Sequence, residues 1–287
     1  WDSGVSAAML DYNLNGQHSG DRTTGYLGLT TGLNLGAWRF RHRASFSHSS
    51  VTGTRHQTIT SYAQRALPAW RSELLIGEGN TRGELFDSVG FTGLQLASDD
   101  RMLPDALRGY APVVRGVAQT QATVHIEQNG YEIYSQSVAP GPFVIDDLYP
   151  TSFGGDLQVI VREADGSEQR FSISFAAVPQ ALREGVSRYN ATAGKLRDPN
   201  GFLAEPWFAQ GSYARGINNT FTLISGAQLC DGEASALGGA AINTWVGAFG
   251  ADLTYATARA PEGAAGQGVQ GSSLRVNYQR NLQDIGT

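Results

Sequence analysis

A strand period limits this chain more than any other feature. From Trp38 to Phe46, the apolar residues Trp38, Phe40, Ala44 and Phe46 alternate with Arg39, Arg41, Arg43 and Ser45. Side chains alternate across a β-strand, so one face here is apolar and aromatic and the other carries three arginines. Just upstream, Leu27, Leu29, Leu33 and Leu35 share one parity, and Gly28, Thr30, Gly32 and Asn34 the other. The same reasoning predicts strands over 8–14, 57–67, 70–77 and 89–97, then over 207–217, 220–229, 237–246, 247–257 and 272–280. No exact internal repeat is visible, but successive strand and turn units are what a meander would show.

Two architectures accept this pattern. In a soluble sandwich the apolar face meets a second sheet; in an outer-membrane barrel it meets lipid, and the polar face lines a wet lumen. Alternation alone does not separate them. The barrel is favoured by segments of about ten residues and by Tyr26, Trp38, Trp70, Trp207 and Trp245 near segment ends. It is favoured too by 36 glycines, where about 20 would be usual.

Composition excludes several function classes. Lys195 is the only lysine among 21 basic residues and the formal net charge is −5, so no lysine-rich footprint for nucleic acid exists. The lone Cys230 makes neither an internal disulfide nor a cysteine-rich zinc site, and no role is assigned to it. No signal peptide is visible at Trp1; a mature protein or an excised fragment would both begin so, and a fragment is expected. Residues 234–251 are uncharged, but Gly238, Gly239, Gly247, Gly250, Asn243 and Thr244 make them a poor apolar helix.

Between residues 111 and 178 the texture changes. Asn129-Gly130 marks a two-residue hairpin turn, predicted to pair Ile126 with Ile133 and to set Glu127 against Glu132, an unfavourable like-charge pair unless solvated or facing a cation. A second hairpin is predicted around Asp165-Gly166-Ser167, pairing Val161 with Phe171, Val159 with Ile173 and Leu157 with Phe175. Pro140-Gly141-Pro142 should interrupt pairing before a short run over 143–148. The segment reads as a small β-sandwich. It holds eight acidic residues and three arginines, a balance of −5, while the remainder holds 18 of each sign. The insert therefore carries the whole net charge.

Catalytic patterns are missing. No nucleophile elbow, His-Glu-x-x-His, Walker loop or EF-hand occurs. Gly77-Glu78-Gly79 resembles the opening of a dinucleotide loop, but the final glycine is misplaced and no helix follows. His42, His48 and His56 have neither helix-face nor tight-loop spacing, and the pairs Asp99-Asp100 and Asp146-Asp147 suit turns and strand ends. No catalytic residue, cofactor or metal is expected.

From Phe86 to Tyr189 the chain resembles the fimbrial outer-membrane usher family. The resemblance is carried by the blocks at 85–89, 97–104 and 108–116, by Gln128-Asn129-Gly130, Pro140-Gly141-Pro142-Phe143, Asp146-Asp147-Leu148-Tyr149-Pro150, Gly155-Asp156-Leu157 and Glu163-Ala164-Asp165-Gly166-Ser167, and by Val178-Pro179 and Leu182-Arg183-Glu184-Gly185. It implies an all-β fold: antiparallel transmembrane barrel strands over 1–110 and 179–287, forming part of a barrel, with a β-sandwich plug over 111–178. It implies a translocation pore, gated by the plug, that assembles and passes pilus subunits delivered by periplasmic chaperones and hydrolyses no nucleotide. The family's N-terminal capture domain, later strands and C-terminal periplasmic domains lie outside these 287 residues, so contacts with chaperone–subunit complexes fall mainly to missing parts, and outer-membrane lipid is the remaining partner. The plug motif comprises Asn129, Gly130, Pro140, Gly141, Pro142, Asp146, Asp147, Asp165 and Gly166. A candidate plug seat in the lumen pairs Arg39, Arg41 and Arg43 with the acidic module and its Glu127 and Glu132. The runner-up is a soluble or surface-exposed β-sandwich binding protein, and a carbohydrate-active enzyme stands third.

Overall fold

The computed structural model describes residues 4–151, 155–173, 175, 178, 180–197, 205–259 and 268–280. In chain order the strands are β1 (Ala7–Ser19), β2 (Arg22–Leu35), β3 (Trp38–Ser49), β4 (Gly53–Leu67), β5 (Ser72–Asn80), β6 (Gly90–Ser98), β7 (Val114–Ala118), β8 (Ala122–Gln128) and β9 (Tyr131–Val138). There follow β10 (Gly141–Ile145), β11 (Leu157–Glu163), β12 (Glu168–Ile173), β13 (Ser187–Leu196), β14 (Trp207–Gly216), β15 (Phe221–Cys230), β16 (Glu233–Thr244), β17 (Gly247–Ala258) and β18 (Val269–Gln279). Among the described residues the largest sheet has the order β1-β2-β3-β4-β5-β6-β13-β14-β15-β16-β17-β18, and the strands from β7 to β12 form sheets β10-β7 and β12-β11-β8-β9. Residues 234–251 lie in the hairpin of β16 and β17, and no described helix is long and apolar enough to cross a membrane. The chain divides into two compact units: Trp1–Met102 with Asn190–Gly211 and Gln228–Gly232, and Leu103–Tyr189 with Ser212–Ala227 and Glu233–Thr287.

In the first unit, register turns the sequence alternation into rows. Leu33, Phe40, Ala63, Ile76, Leu94 and Ala193 stand opposite one another across β2, β3, β4, β5, β6 and β13. On the other face run Asn34, Arg39, Gln64, Leu75, Gln95 and Thr192. Exposure is inverted relative to a soluble sheet: Leu33, Phe40, Ile76 and Leu94 are 39–52% exposed, whereas Gln95 and Thr192 are buried and bonded to each other at 3.1 Å. Apolar area left in water forfeits about 25 cal/mol per Å², so the outer row calls for an apolar solvent.

One glycine pair lets two strands of this sheet approach closely. Gly93 and Gly194 face each other, and a Cβ on either would lie 2.1 or 2.2 Å from a neighbouring carbonyl oxygen, so only glycine fits at this point of the β6–β13 pair. Beside it, β4 pairs with β5 only from Tyr62 to Leu67. Where β5 departs, Arg197 donates to the Thr58 carbonyl at 2.9 Å and lies 3.5 Å from the Glu78 carboxylate.

In the second unit the inserted strands enclose a core of Val114, Val124, Ile126, Phe143, Ile145, Leu148, Leu157, Val159, Val161 and Phe175. Alternation builds it: Ala122, Val124, Ile126 and Gln128 of β8 are buried, as are Leu157, Val159, Val161 and Glu163 of β11, and each large aliphatic contributes about 1.5–3 kcal/mol. The wall strands repeat the inverted exposure, since Phe249, Leu253 and Tyr255 of β17 are exposed while Ala248 and Asp252 are buried.

Both hairpin registers need correction. Glu127 does face Glu132, but a bulge follows and Ile126 pairs with Tyr134 rather than Ile133, which lets Ile133 and Tyr134 both pack on the core. In the second hairpin the three-residue loop is Ala164-Asp165-Gly166, one residue earlier than expected. Gly166, at φ 85°, takes the left-handed position that closes such a loop, and Leu157 pairs with Ile173, Val159 with Phe171 and Val161 with Gln169. Pro142 does not interrupt pairing. It sits inside β10 opposite Val117, in a two-stranded sheet where an edge position tolerates its missing N–H.

Candidate functional site

The inserted sandwich is fastened through its own polar groups and through the segments that lead into and out of it. Glu163 illustrates the first. Its carboxylate accepts from the backbone N–H groups of Gln119 and Thr120 at 2.9 and 2.8 Å and from the Thr120 hydroxyl at 2.7 Å. These bonds, led by that from Gln119, hold its pKa below the ordinary value. Asp165, bonded by Ser167, and Glu168, bonded by Arg170 and Arg162, are lowered likewise. A carboxylate whose folded pKa is depressed contributes stability above its unfolded pKa and loses it as pH falls through the folded value. A fragment spanning 103–186 is therefore expected to melt at a lower temperature at pH 3 than at pH 7, and Glu163→Gln should shrink that difference. Equal acid sensitivity in the variant would show that this carboxylate is not the titrating tie.

The linkers carry the second set of ties. On the incoming side, Asn219, in the β14–β15 turn, accepts from Val113 N–H at 3.0 Å through Oδ1 and donates to the Val113 carbonyl at 2.8 Å through Nδ2. The Tyr110 hydroxyl donates to the Asn219 carbonyl and accepts from Asn243 Nδ2 at 2.8 Å, while its ring stacks on Phe175 at 5.9 Å. On the outgoing side, Thr222 Oγ1 accepts from Leu182 N–H at 3.0 Å. Gly185 N–H donates to the Gly216 carbonyl at 2.9 Å, and Gly216 N–H to the Val186 carbonyl at 3.0 Å.

Arg183 joins these parts. It is 3% exposed, and its guanidinium donates to the carbonyls of Gly109 at 2.9 Å, Asp146 at 3.1 Å and Leu148. Burial pulls its pKa down, opposed by the charges of Asp146 and Asp147. An exposed ion pair, Arg115 with Glu184 at 3.1 Å, lies nearby.

The residues singled out from sequence are distributed as follows. Asn129 and Gly130 form the β8–β9 turn with φ of 54° and 80°. Asp147 accepts from the Tyr134 hydroxyl at 3.0 Å, and the Asp146 backbone is one of the groups held by Arg183. Pro140, Gly141 and Pro142 lead into β10, and Asp165 caps Ser167. Pro179, one of the residues that carry the resemblance, lies outside the described residues. Glu132 is met within its own sheet by the His125 ring, Nδ1 lying 2.7 Å from its carboxylate, and Glu127 acts electrostatically on Arg170. Arg39, Arg41 and Arg43 lie in the first unit on one face of β3, and Glu127 and Glu132 in the second. Arg39 donates to the carbonyls of Gly36 and Trp38, and Arg41 to the Phe40 carbonyl and to Asn34 Oδ1. Sequence reasoning missed Asn219, Asn243 and Thr222. Asn218-Asn219 read only as a turn.

Comparison with known proteins places this geometry. Residues 26–287 match the family described as outer membrane usher protein. The whole chain is 41% identical to the outer membrane usher protein FocD of Escherichia coli and 42% identical to HtrE of Escherichia coli K12, covering 34% and 33% of those proteins. The chain thus spans about a third of the length of the curated relatives it matches. Among solved structures, the P pilus tip assembly intermediate PapC-PapD-PapK-PapG of E. coli matches 99% of the chain and 36% of that chain at 37% identity, with a TM-score of 0.72. The PapC translocation pore matches 96% of the chain and 60% of that chain at 32% identity, with a TM-score of 0.53. The fold is thus that of antiparallel transmembrane β-barrel strands with an inserted small β-sandwich.

Proposed function

Because the chain belongs to the outer membrane usher protein family, we propose that it supplies part of the wall, and the gate, of a pore that assembles pilus subunits and passes them across the bacterial outer membrane. The observation that carries this is the inverted exposure of both units, with apolar rows outward and polar side chains covered. A soluble binding sandwich would bury Leu33, Phe40, Ile76 and Leu94, so the same rows weigh against the runner-up. Residues 1–110 and 179–287 serve as wall, and 111–178 as plug.

Connections between wall strands support a direction of traffic. At one strand end every wall turn is short, 36–37, 68–71, 217–220 and 245–246, and at that end the chain leaves β6 for the insert; the other end carries the long connections 81–89, 197–206 and 259–268 beside the short turns 20–21, 50–52 and 231–232. Outer-membrane barrels keep short turns on the periplasmic side. The plug is therefore inserted from the side on which chaperone–subunit complexes arrive, and those complexes are the partners proposed for the full-length parent. The chain performs no catalysis in this reading, and its arginine face at Arg39, Arg41 and Arg43 seats the acidic plug by long-range attraction.

In cells carrying the cognate chaperone and subunits but no usher, the full-length parent should fractionate with the outer membrane and restore surface pili. A parent recovered in the soluble fraction, with no pili restored, would end the proposal.

A further inference from the structure

We infer that Asn219, Tyr110 and Arg183 form a latch that keeps the plug seated, with the β14–β15 turn of the wall as its release point. The inference rests on the gating role proposed above. Asn219 makes with Val113 the same two bonds, one accepted and one donated, that a neighbouring strand would make, and so stands in for a ladder partner on a segment that has none there. Tyr110 adds a bridge from the incoming linker to two separate wall elements, the Asn219 carbonyl and Asn243 on β16. Arg183 then couples the linkers to the plug body, since one guanidinium holds Gly109 in the incoming linker and Asp146 and Leu148 in the plug, from a position in the outgoing linker.

Three features make this a latch rather than inert packing. The bonds that cross to the wall through Asn219 and Asn243 are neutral hydrogen bonds, each modest in net worth once water replaces it, so the set is reversible. The buried guanidinium cannot surrender one carbonyl and keep the others without leaving a polar group unsolvated, so its three bonds should break together. Asn243 Oδ1 is buried without a hydrogen-bond partner among the described residues, so this corner is already short of full satisfaction in the closed arrangement. Gly216 adds a steric condition: a Cβ there would lie 2.0 Å from the Arg183 carbonyl, so the outgoing linker rests directly on wall backbone.

The test uses the full-length parent in planar bilayers, with a plug deletion as the fully open reference. Asn219→Ala and Tyr110→Phe, each still migrating as a folded barrel, should raise the open fraction about fivefold or more, the factor expected for losing one hydrogen bond. Arg183→Lys should do so more strongly, and if it fails to fold the first two variants carry the test. A disulfide between Val113→Cys and Asn219→Cys, in a Cys230→Ser background, should suppress opening until it is reduced. An oxidised pair that opens as often as the unmodified pore would overturn the latch and make the turn a fixed pivot, as would unchanged opening in Asn219→Ala and Tyr110→Phe. If the deletion itself conducts no better than the intact pore, the gating role fails instead.

Discussion

Removing residues 111–178 from the full-length parent should turn a mostly closed pore into a steadily conducting one. The faces that the wall strands turn away from their apolar rows carry Gly28, Thr30, Gly32, Asn34, Gln64 and Gln95. A wide barrel lined this way stays hydrated unless something fills it. The deletion also removes the segment that carries the whole formal net charge, because the rest holds 18 acidic and 18 basic residues. Planar-bilayer recordings should therefore show a large sustained current in place of occasional openings. Unchanged conductance in a correctly folded deletion would show that the insert is not the gate. The wall strands should survive the excision, since β6 and β13 already pair directly, from Ala97 opposite Asn190 to Phe91 opposite Leu196, without help from the insert.

What could be read from sequence divides along a physical line. Local period was legible: β3 was evident from four apolar residues set against three arginines, and the Asn129-Gly130 turn from the left-handed backbone that two adjacent residues must adopt. Solvent was not, because alternation is the same whether lipid or a second sheet covers the apolar face, and only the exposure of Leu94 beside the burial of Gln95 distinguishes them. Registers failed where one residue changes the count. The bulge between Ile126 and Glu127 has no sequence mark, and Gly166 fixes its loop only if its place in the loop is already known. Strand β13 went unnoticed because Ala191 and Ala193 are its outward residues and give little apolar contrast with Asn190 and Thr192. The latch could not be seen at all. Its contacts join residues 106 and 133 positions apart, and an asparagine in a turn gives no hint of the backbone it will meet. Glu132 turns to His125, two residues from Glu127 on the same strand face, a hydrogen bond visible only once Ser135 rather than Tyr134 lies opposite that histidine.

The strongest discrimination between the two faces of the wall should come from charge placed on each. Leu94 lies mid-strand in β6, 52% exposed, in the row that contains Phe40. Leu94→Arg sets a guanidinium against hydrocarbon at a cost of about 2–4 kcal/mol near the midplane. That is a large share of the 5–15 kcal/mol by which folded domains exceed unfolded ones, so the full-length parent should reach the outer membrane as folded barrel in much reduced yield. Reversing Arg39, Arg41 and Arg43 to glutamate changes six units of charge on the opposite face. It should leave insertion intact, because charges in a wet lumen keep their hydration and exposed pairs are worth only about 0–1 kcal/mol each. Its effect should appear in gating: with the attraction for the acidic plug replaced by repulsion, spontaneous openings should become more frequent, and most clearly at low salt, where screening is weakest. The bonds from Arg39 to the carbonyls of Gly36 and Trp38, and from Arg41 to Asn34, do not remove this attraction, since a guanidinium bonded to neutral groups keeps its full charge. Normal folding of Leu94→Arg would place that row away from lipid. Identical opening statistics for the triple reversal at low ionic strength would sink the electrostatic seat and leave the neutral hydrogen bonds at Asn219 and Tyr110 as the hold on the plug.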